Sequence, residues 1–554
     1  MTRPTPAPPA RPATDTPPRV GPSLVTDPDP APRAWWRGPV AWALALGVLV
    51  RAVHVLAAGF PLNDGGMFYV MMRDLQQAGF RLPAQTTYNA LGIPFAYSPL
   101  AFYVGAALDS ATPLDLVGVL RVLPFVTSLL TLGAFALLAR RLLPERWVAP
   151  AVLAFALVPR GFLWPLMGGG LTRGFGLLFA LLALWQVHAA YTGRRWRPAL
   201  WAALCAGLTV LSHLGTAPWL AASIVLFWAV YGRHRHGVLA SIVVALGATL
   251  VAAPWGMAIV GMHGWAPFLA AGGAGESVVS DGGTRWRVLV LLAALGVRDT
   301  GEALFPLIGV LAVLGALLSV VSRRLLLLPV WWALTFLVDP RQGATFATVP
   351  VSLLAGIGAR DALWPLLARA ARGAEAAGDR MARRLPRAVA AALVLYATLC
   401  ALATDPRYSG EARQLVALSP ADRAAMREAG ARTPADARFL VISRLPWFSD
   451  RYAEWFPVLS GRRSVATVQG YEWRPNGEFA AQQKRAARLA ACGAAAADCL
   501  DEWADRTGEP FTHVYVPTRP NDCCGSLVRS LGADPRYTRL YAGPTAVIFA
   551  RGRE

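Results

Sequence analysis

Charge is scarce in this chain of 554 residues: only 16% are Asp, Glu, Lys or Arg, against 55% hydrophobic. That excludes an ordinary soluble protein of this length, which would carry more charge and fewer apolar runs. Lysine is almost missing, Lys484 being the only one. Also missing are a Walker loop, a nucleophile elbow, a dinucleotide fingerprint and a paired-cysteine zinc motif. These gaps argue against transport driven by the chain's own ATP hydrolysis. No internal repeat is visible either, which argues against a secondary transporter built from inverted repeats.

What the chain does have is apolar runs. A membrane helix needs roughly 20 apolar residues, and such stretches recur at 39–59, 117–139, 147–167, 172–192, 199–213, 215–231, 238–260, 303–322, 325–338, 343–365 and 387–404. The expected fold class is mainly α, a polytopic membrane bundle of about 11 spans. The first run lies too far from the start for an ordinary signal peptide and is expected to stay as an anchor. Before it, residues 1–38 are rich in Pro and Arg and read as a disordered cytoplasmic tail.

The net charge of +20 does not point to nucleic acid. Its arginines punctuate the apolar segments, as topology signals do. Arg33 and Arg37 precede the first span. Arg140, Arg141 and Arg146 follow the second, Arg194, Arg195 and Arg197 the fourth, Arg233 and Arg235 the sixth, and Arg323 and Arg324 the eighth. With the N-terminus inside, all of these connections are cytoplasmic. The expected location is then the plasma (inner) membrane, multi-pass, with the region from 405 outside. Residues 39–404 form the expected membrane domain, with a long first outer loop at 60–116. Within that loop, 97–110 reads as a helix in the outer interface, and Trp286–Val297 reads similarly. Residues 405–554 alternate strand-like runs (439–443, 512–516, 545–550) with an Ala-rich helical stretch at 478–492. They read as an extracytoplasmic α/β domain.

The six cysteines divide. Cys205 and Cys400 lie in apolar segments as packing residues. Cys492, Cys499, Cys523 and Cys524 lie in the outer region, where an even number fits disulfides of undetermined pairing. Zinc is the competing reading, but the spacing matches no common zinc pattern.

Several polar residues stand out at the outer side. Asp64, in Pro61-Leu62-Asn63-Asp64-Gly65-Gly66, follows the first span and is placed to act as a base at the outer leaflet. The structural alternative is that Asn63 or Asp64 caps the helical stretch Met67–Ala78. Arg160, Arg173, His213 and Arg341 map to outer helix ends, and Arg121 lies near one. Guanidinium groups bind phosphate through paired donors, so such a ring would hold a lipid phosphate. Snorkelling or local pairing, such as Arg341 with Asp339, is the alternative. Glu276 lies on a glycine-rich loop as a possible second acid. Arg51 and His54, one turn apart on the first span, either line a cavity or pair structurally. Trp447, Trp455, Tyr471 and Trp473 read as domain core rather than a sugar platform.

Taken in order, these parts resemble the GT-C superfamily of polyprenyl-phosphate-sugar-dependent membrane glycosyltransferases, which includes aminoarabinose transferases and protein O-mannosyltransferases. The resemblance rests on Asp64 after the first span, the amphipathic stretch Met67–Ala78, the proline-led segment Pro94–Tyr103, and a second span running from Arg121 to Arg140-Arg141. It covers residues 39–365. It implies an enzyme that moves a hexosyl or pentosyl group from a lipid-linked sugar donor to an extracytoplasmic protein, lipid or glycan, inverting the anomeric centre. Asp64 would be the catalytic base. Arg121, Arg173, His213, Arg341, Tyr97 and Glu276 would bind the carrier phosphate or substrate. The acidic pair usual after the first span is Asp64-Gly65 here, lacking its second acid, so metal dependence stays open and a divalent metal is possible. Many relatives place a lysine where His213 stands; a histidine there would make phosphate binding pH-dependent. The alternatives are a transporter or lipid flippase without transferase activity, and a non-catalytic assembly or sensor protein.

Overall fold

The computed structural model describes residues 38–276, 300–339, 342–376, 384–403, 415–518 and 523–552. The expected tail (apart from Gly38), the stretch Trp286–Val297 and Arg341 lie outside the described residues.

The chain opens with α1 (Pro39–Ala57), α2 (Gly66–Gln77), α3 (Leu100–Ala111), α4 (Leu116–Leu142), α5 (Glu145–Leu157), the single-turn α6 (Leu163–Leu166) and α7 (Leu171–Gly193). There follow α8 (Trp196–Ser212), α9 (Thr216–Tyr231), α10 (Arg235–His263), α11 (Ala266–Glu276), α12 (Leu307–Val321), α13 (Leu327–Val338), α14 (Gly343–Ile357), α15 (Trp364–Ala376) and α16 (Leu385–Leu402). Every expected span falls on a helix. Among the described residues, six helical stretches are long and apolar enough to cross a membrane. The expected span 147–167 is corrected. Its helix stops at Leu157, ahead of a 3-10 turn at Pro159–Gly161, where proline cannot donate the next helical hydrogen bond. The released chain folds as α6 and a second 3-10 turn, Gly168–Gly170, before α7 starts.

Arg51 and His54 resolve as structural groups. The Arg51 guanidinium donates to Ser128 Oγ at 2.9 Å and to the Ala156 carbonyl at 2.8 Å, and lies 4.8 Å from the Phe162 ring centroid. His54 Nε2 lies 2.8 Å from the Ala401 carbonyl, tying α1 to α16. A buried cation hydrogen-bonded to two neighbouring helices is a joint between them rather than a cavity lining.

The remaining elements are α17 (Pro420–Arg432), α18 (Arg451–Ser460), α19 (Glu478–Cys492), α20 (Asp498–Thr507), α21 (Gly525–Ala533) and a five-stranded sheet. A two-residue hairpin in the first loop, β1 (Gln85–Thr86) and β2 (Ile93–Pro94), stands apart from it. The sheet holds β3 (Arg438–Val441), β4 (Arg463–Ser464), β5 (His513–Pro517), β6 (Tyr537–Ala542) and β7 (Ala546–Arg551), in order β4-β3-β5-β7-β6. Strand β3 runs parallel to β4 and β5, while β7 is antiparallel to β5 and β6.

Side chains alternate across these strands, and the two faces meet different partners. Leu440, Val514, Val516 and Phe549 pack under α19, α20 and α21. Phe439, Val441, Tyr515 and Ile548 join a core shared with Phe68, Met72 and Phe102 of α2 and α3, and with Trp455 of α18. The first loop is therefore sandwiched between the bundle and the sheet. Trp455 and Trp473 are buried there as core residues, and Tyr471 is buried in a smaller cluster with Val468 and Phe479. The cysteines pair as Cys492–Cys499 and Cys523–Cys524, leaving Cys205 and Cys400 unpaired.

Candidate active site

Asp64 sits on a turn bent by left-handed backbone on both sides: Asn63 has φ 54° and Gly65 φ 114°. Asparagine and glycine tolerate that region best, so Asn-Asp-Gly is a local instruction to project the middle side chain. The turn is tied down throughout. Asn63 N donates to the Val416 carbonyl at 3.1 Å, Gly168 N to the Leu62 carbonyl at 3.0 Å, and Trp455 Nε1 to the Asn63 carbonyl at 3.2 Å.

The carboxylate of Asp64 accepts the Gly169 amide at 2.7 Å. A Cβ on Gly169 would lie 2.5 Å from Asp64 Oδ2, and one on Gly168 would collide with the Asp64 carbonyl. The triple glycine is thus a cradle that only hydrogen atoms fit. It leads directly into α7, whose N-terminal end favours negative charge. Burial raises the Asp64 pKa above its ordinary value, while Arg173 and the Gly169 amide pull it back. Arg173, in the first turn of α7, lies 4.7 Å from the Trp164 ring centroid.

The capping alternative for Asp64 does not hold. Helix α2 is led by Gly65, with no side-chain cap of its own. The cap comes from Glu454 on α18, whose Oε1 accepts Gly65 N at 2.9 Å and Met67 N at 3.4 Å. Glu454 is 4% exposed. Desolvation, then the charge of Asp64, push its pKa up to about 8. Helix α18 is itself capped by Asp450, which accepts the amides of Tyr452 and Ala453 and the Ser443 hydroxyl. A second carboxyl group thus lies beside the Asp64 turn, supplied from 389 positions away by Glu454. Sequence reasoning missed Glu454 because nothing local in Tyr452-Ala453-Glu454-Trp455 marks it.

Tyr97 joins the same neighbourhood. Its hydroxyl donates to Glu472 Oε1 at 3.2 Å, and its ring lies 4.7 Å from that of Trp473. Burial and Glu472 push its pKa up, while Arg173 opposes them. Helix α11 packs on this Tyr471–Trp473 turn, which corrects the glycine-rich loop expected there; the Glu276 side chain at its end lies outside the described residues. His213 ends α8, with Nδ1 2.9 Å from Thr216 Oγ1. It packs on Gly176, one turn along α7 from Arg173, and Gln342 reaches Gly215 beside it.

Arg121 goes elsewhere: its Nη2 donates to the Ala58 carbonyl at 2.6 Å, at the end of α1. Arg160 occupies the 3-10 turn Pro159–Gly161. Among the described residues, no group of three or more His, Cys, Asp or Glu is gathered for a metal ion.

No protein-family profile matches this sequence, and no curated protein does. Solved structures do match. The oligosaccharyltransferase AglB from Archaeoglobus fulgidus, in complex with an inhibitory peptide and a dolichol-phosphate, superposes with a TM-score of 0.56 at 14% identity, over 87% of this chain and 70% of AglB. ArnT from Cupriavidus metallidurans, bound to undecaprenyl phosphate, superposes with a TM-score of 0.54 at 13% identity, over 93% of this chain and 99% of ArnT. AglB has also been solved with Zn and sulfate, and that structure superposes with a TM-score of 0.55 at 14% identity, over 86% of this chain and 68% of AglB. The chain therefore shares its fold with AglB and ArnT, a mainly α helical bundle carrying a small sheet, which is the fold class expected from the sequence.

Proposed function

We propose that this chain is an integral-membrane glycosyltransferase that moves a sugar from a polyprenyl-phosphate carrier to an acceptor at the extracytoplasmic face. One observation carries the reading. Asp64 is held by the Gly169 amide beside Arg173, at one end of a bundle whose fold is shared with proteins solved with dolichol-phosphate and undecaprenyl phosphate.

In the proposed reaction, Asp64 accepts the proton of an acceptor hydroxyl or amine. The freed lone pair attacks the anomeric carbon, and the bond from that carbon to the phosphate oxygen breaks. Its electrons leave on the carrier phosphate. The anomeric centre inverts in one displacement. Positioning base and acceptor together supplies much of the rate. Arg173, with His213 and Arg341, offsets charge on the leaving phosphate. Two carboxylates sharing one buried site do not both ionise readily. Burial and the charge of Asp64 push the Glu454 pKa up to about 8, so in this reading Glu454 carries the proton and Asp64 the charge.

The arginine clusters at Arg140-Arg141 and Arg194-Arg195 support an orientation with the Asp64 end outside. The test uses the purified full chain in liposomes with a radiolabelled polyprenyl-phosphate sugar. Transfer or release of the sugar that vanishes in Asp64→Asn, with the variant still folded, is the expected result. Full activity in that variant would remove Asp64 from the chemistry, and vesicle uptake without cleavage would turn the reading to a transporter.

A further inference from the structure

Arg121 and Arg423 of α17 converge at the point where α1 ends. Arg121 reaches the Ala58 carbonyl, and the Arg423 guanidinium lies 4.9 Å from the centroid of the Phe60 ring. Two guanidinium groups from different parts of the chain thus crowd one three-residue stretch. Arg427 stands one turn from Arg423 on α17, where like charges repel. The carboxylates of the same helix face other groups: Asp422 Oδ2 closes a capping box with Ser419, and Glu428 pairs with Arg432.

We infer that Arg121, Arg423 and Arg427 form a second anion site, apart from the Asp64 centre, that binds the phosphate of an anionic membrane lipid. Arg121 Nε and Arg423 Nε are both buried and, among the described residues, have no hydrogen-bond partner. A buried N–H donor without an acceptor is costly, and a phosphate oxygen is the acceptor that suits a guanidinium edge. Crowding points the same way: burial, Arg427 and Arg121 together lower the Arg423 pKa, a cost that a bound anion relieves. The lipid source follows from location. Ala58 is the first residue past a 19-residue apolar helix, so the cluster lies where a membrane span ends and head groups begin.

The site is read by lipid binding rather than sugar transfer, so it stands or falls independently of Asp64. Purified full-length protein is titrated with phosphatidylglycerol, with phosphatidylcholine and with inorganic phosphate, following bound lipid by native mass spectrometry and thermal stability. Phosphatidylglycerol should bind and stabilise. The pair Arg423→Gln with Arg427→Gln should weaken it about tenfold or more, while Arg423→Lys with Arg427→Lys, which keeps the charge but not the guanidinium edge, gives an intermediate loss. Arg427→Gln alone, at an exposed position, gives a smaller loss in the same direction and serves if the double variant does not fold. Equal phosphatidylglycerol binding by wild type and the Gln variants would overturn the site. Equal binding of phosphatidylcholine, or a match by inorganic phosphate at the same concentration, would overturn its assignment to an anionic lipid.

Discussion

Glu454 and Gly65 stand 389 positions apart and share a hydrogen bond of 2.9 Å, the carboxyl oxygen accepting the amide. Through it the sheet-bearing half of the chain grips the turn that presents Asp64. The grip titrates. Glu454 loses its proton at about 8 in the fold against an ordinary 4.5. Between those values the folded chain holds a proton that the unfolded chain has released, so stability is full at the acid end and falls as pH rises to about 8. The melting temperature of the wild type should therefore decline across that window, and Glu454→Gln should flatten the slope. Glu454→Ala should flatten the slope as well and, at the acid end of the window, cost about 1–3 kcal/mol, because two amides lose their acceptor.

Arg173 lies close enough to Asp64 and Tyr97 to shift both. If its role is to hold the carrier phosphate, the paired donors of its guanidinium matter as well as its charge. Arg173→Lys should raise the KM for a polyprenyl-phosphate sugar about tenfold, a loss of about 1.4 kcal/mol, with a smaller effect on kcat. Steady-state kinetics with varied donor checks this. An unchanged KM would leave Arg173 as a structural partner of Trp164.

The bundle was legible because membrane spans are written as continuous apolar runs, and Asp64 because its turn is written as Asn-Asp-Gly. What was hidden depends on tertiary approach. Glu454 looks like any acid in an amphipathic helix until Asp450 caps that helix and α18 docks on the first loop. An arginine at a helix end says nothing by itself about its partners; only the fold brings Arg121 to the Ala58 carbonyl, away from the Asp64 turn. The expected span 147–167 overran because Pro159 lay inside an apolar window. Composition alone does not tell where a helix breaks within the membrane.

The cysteine pairing is open to direct counting. Two cysteines are free, Cys205 and Cys400, out of six. Denatured, unreduced protein should take up two alkyl groups and reduced protein six. Peptide mapping should link Cys492 to Cys499. Replacing that pair by serine should cost about 2 kcal/mol, the loop-closure contribution for so short a ring. Six alkylations without reductant would show that the pairs do not form.

Gly169 offers the sharpest test of the Asp64 geometry. Its amide holds the carboxylate at 2.7 Å, and a methyl group there would sit 2.5 Å from Oδ2. Gly169→Ala must therefore push the carboxylate aside, since the backbone around it is fixed by the bonds from Asn63, Gly168 and Trp455. A shift of about 1 Å in a catalytic group costs on the order of a hundredfold in rate. The expected result is a kcat lowered by about that factor, with donor binding and folding largely kept. Glycine 161, on the neighbouring turn, makes a control: its Cβ would meet Val158 Cγ1 at 3.1 Å and Thr348 Oγ1 at 3.5 Å, away from Asp64. If Gly161→Ala and Gly169→Ala reduced activity equally, the loss would belong to the turn as a whole and not to the carboxylate that Gly169 cradles.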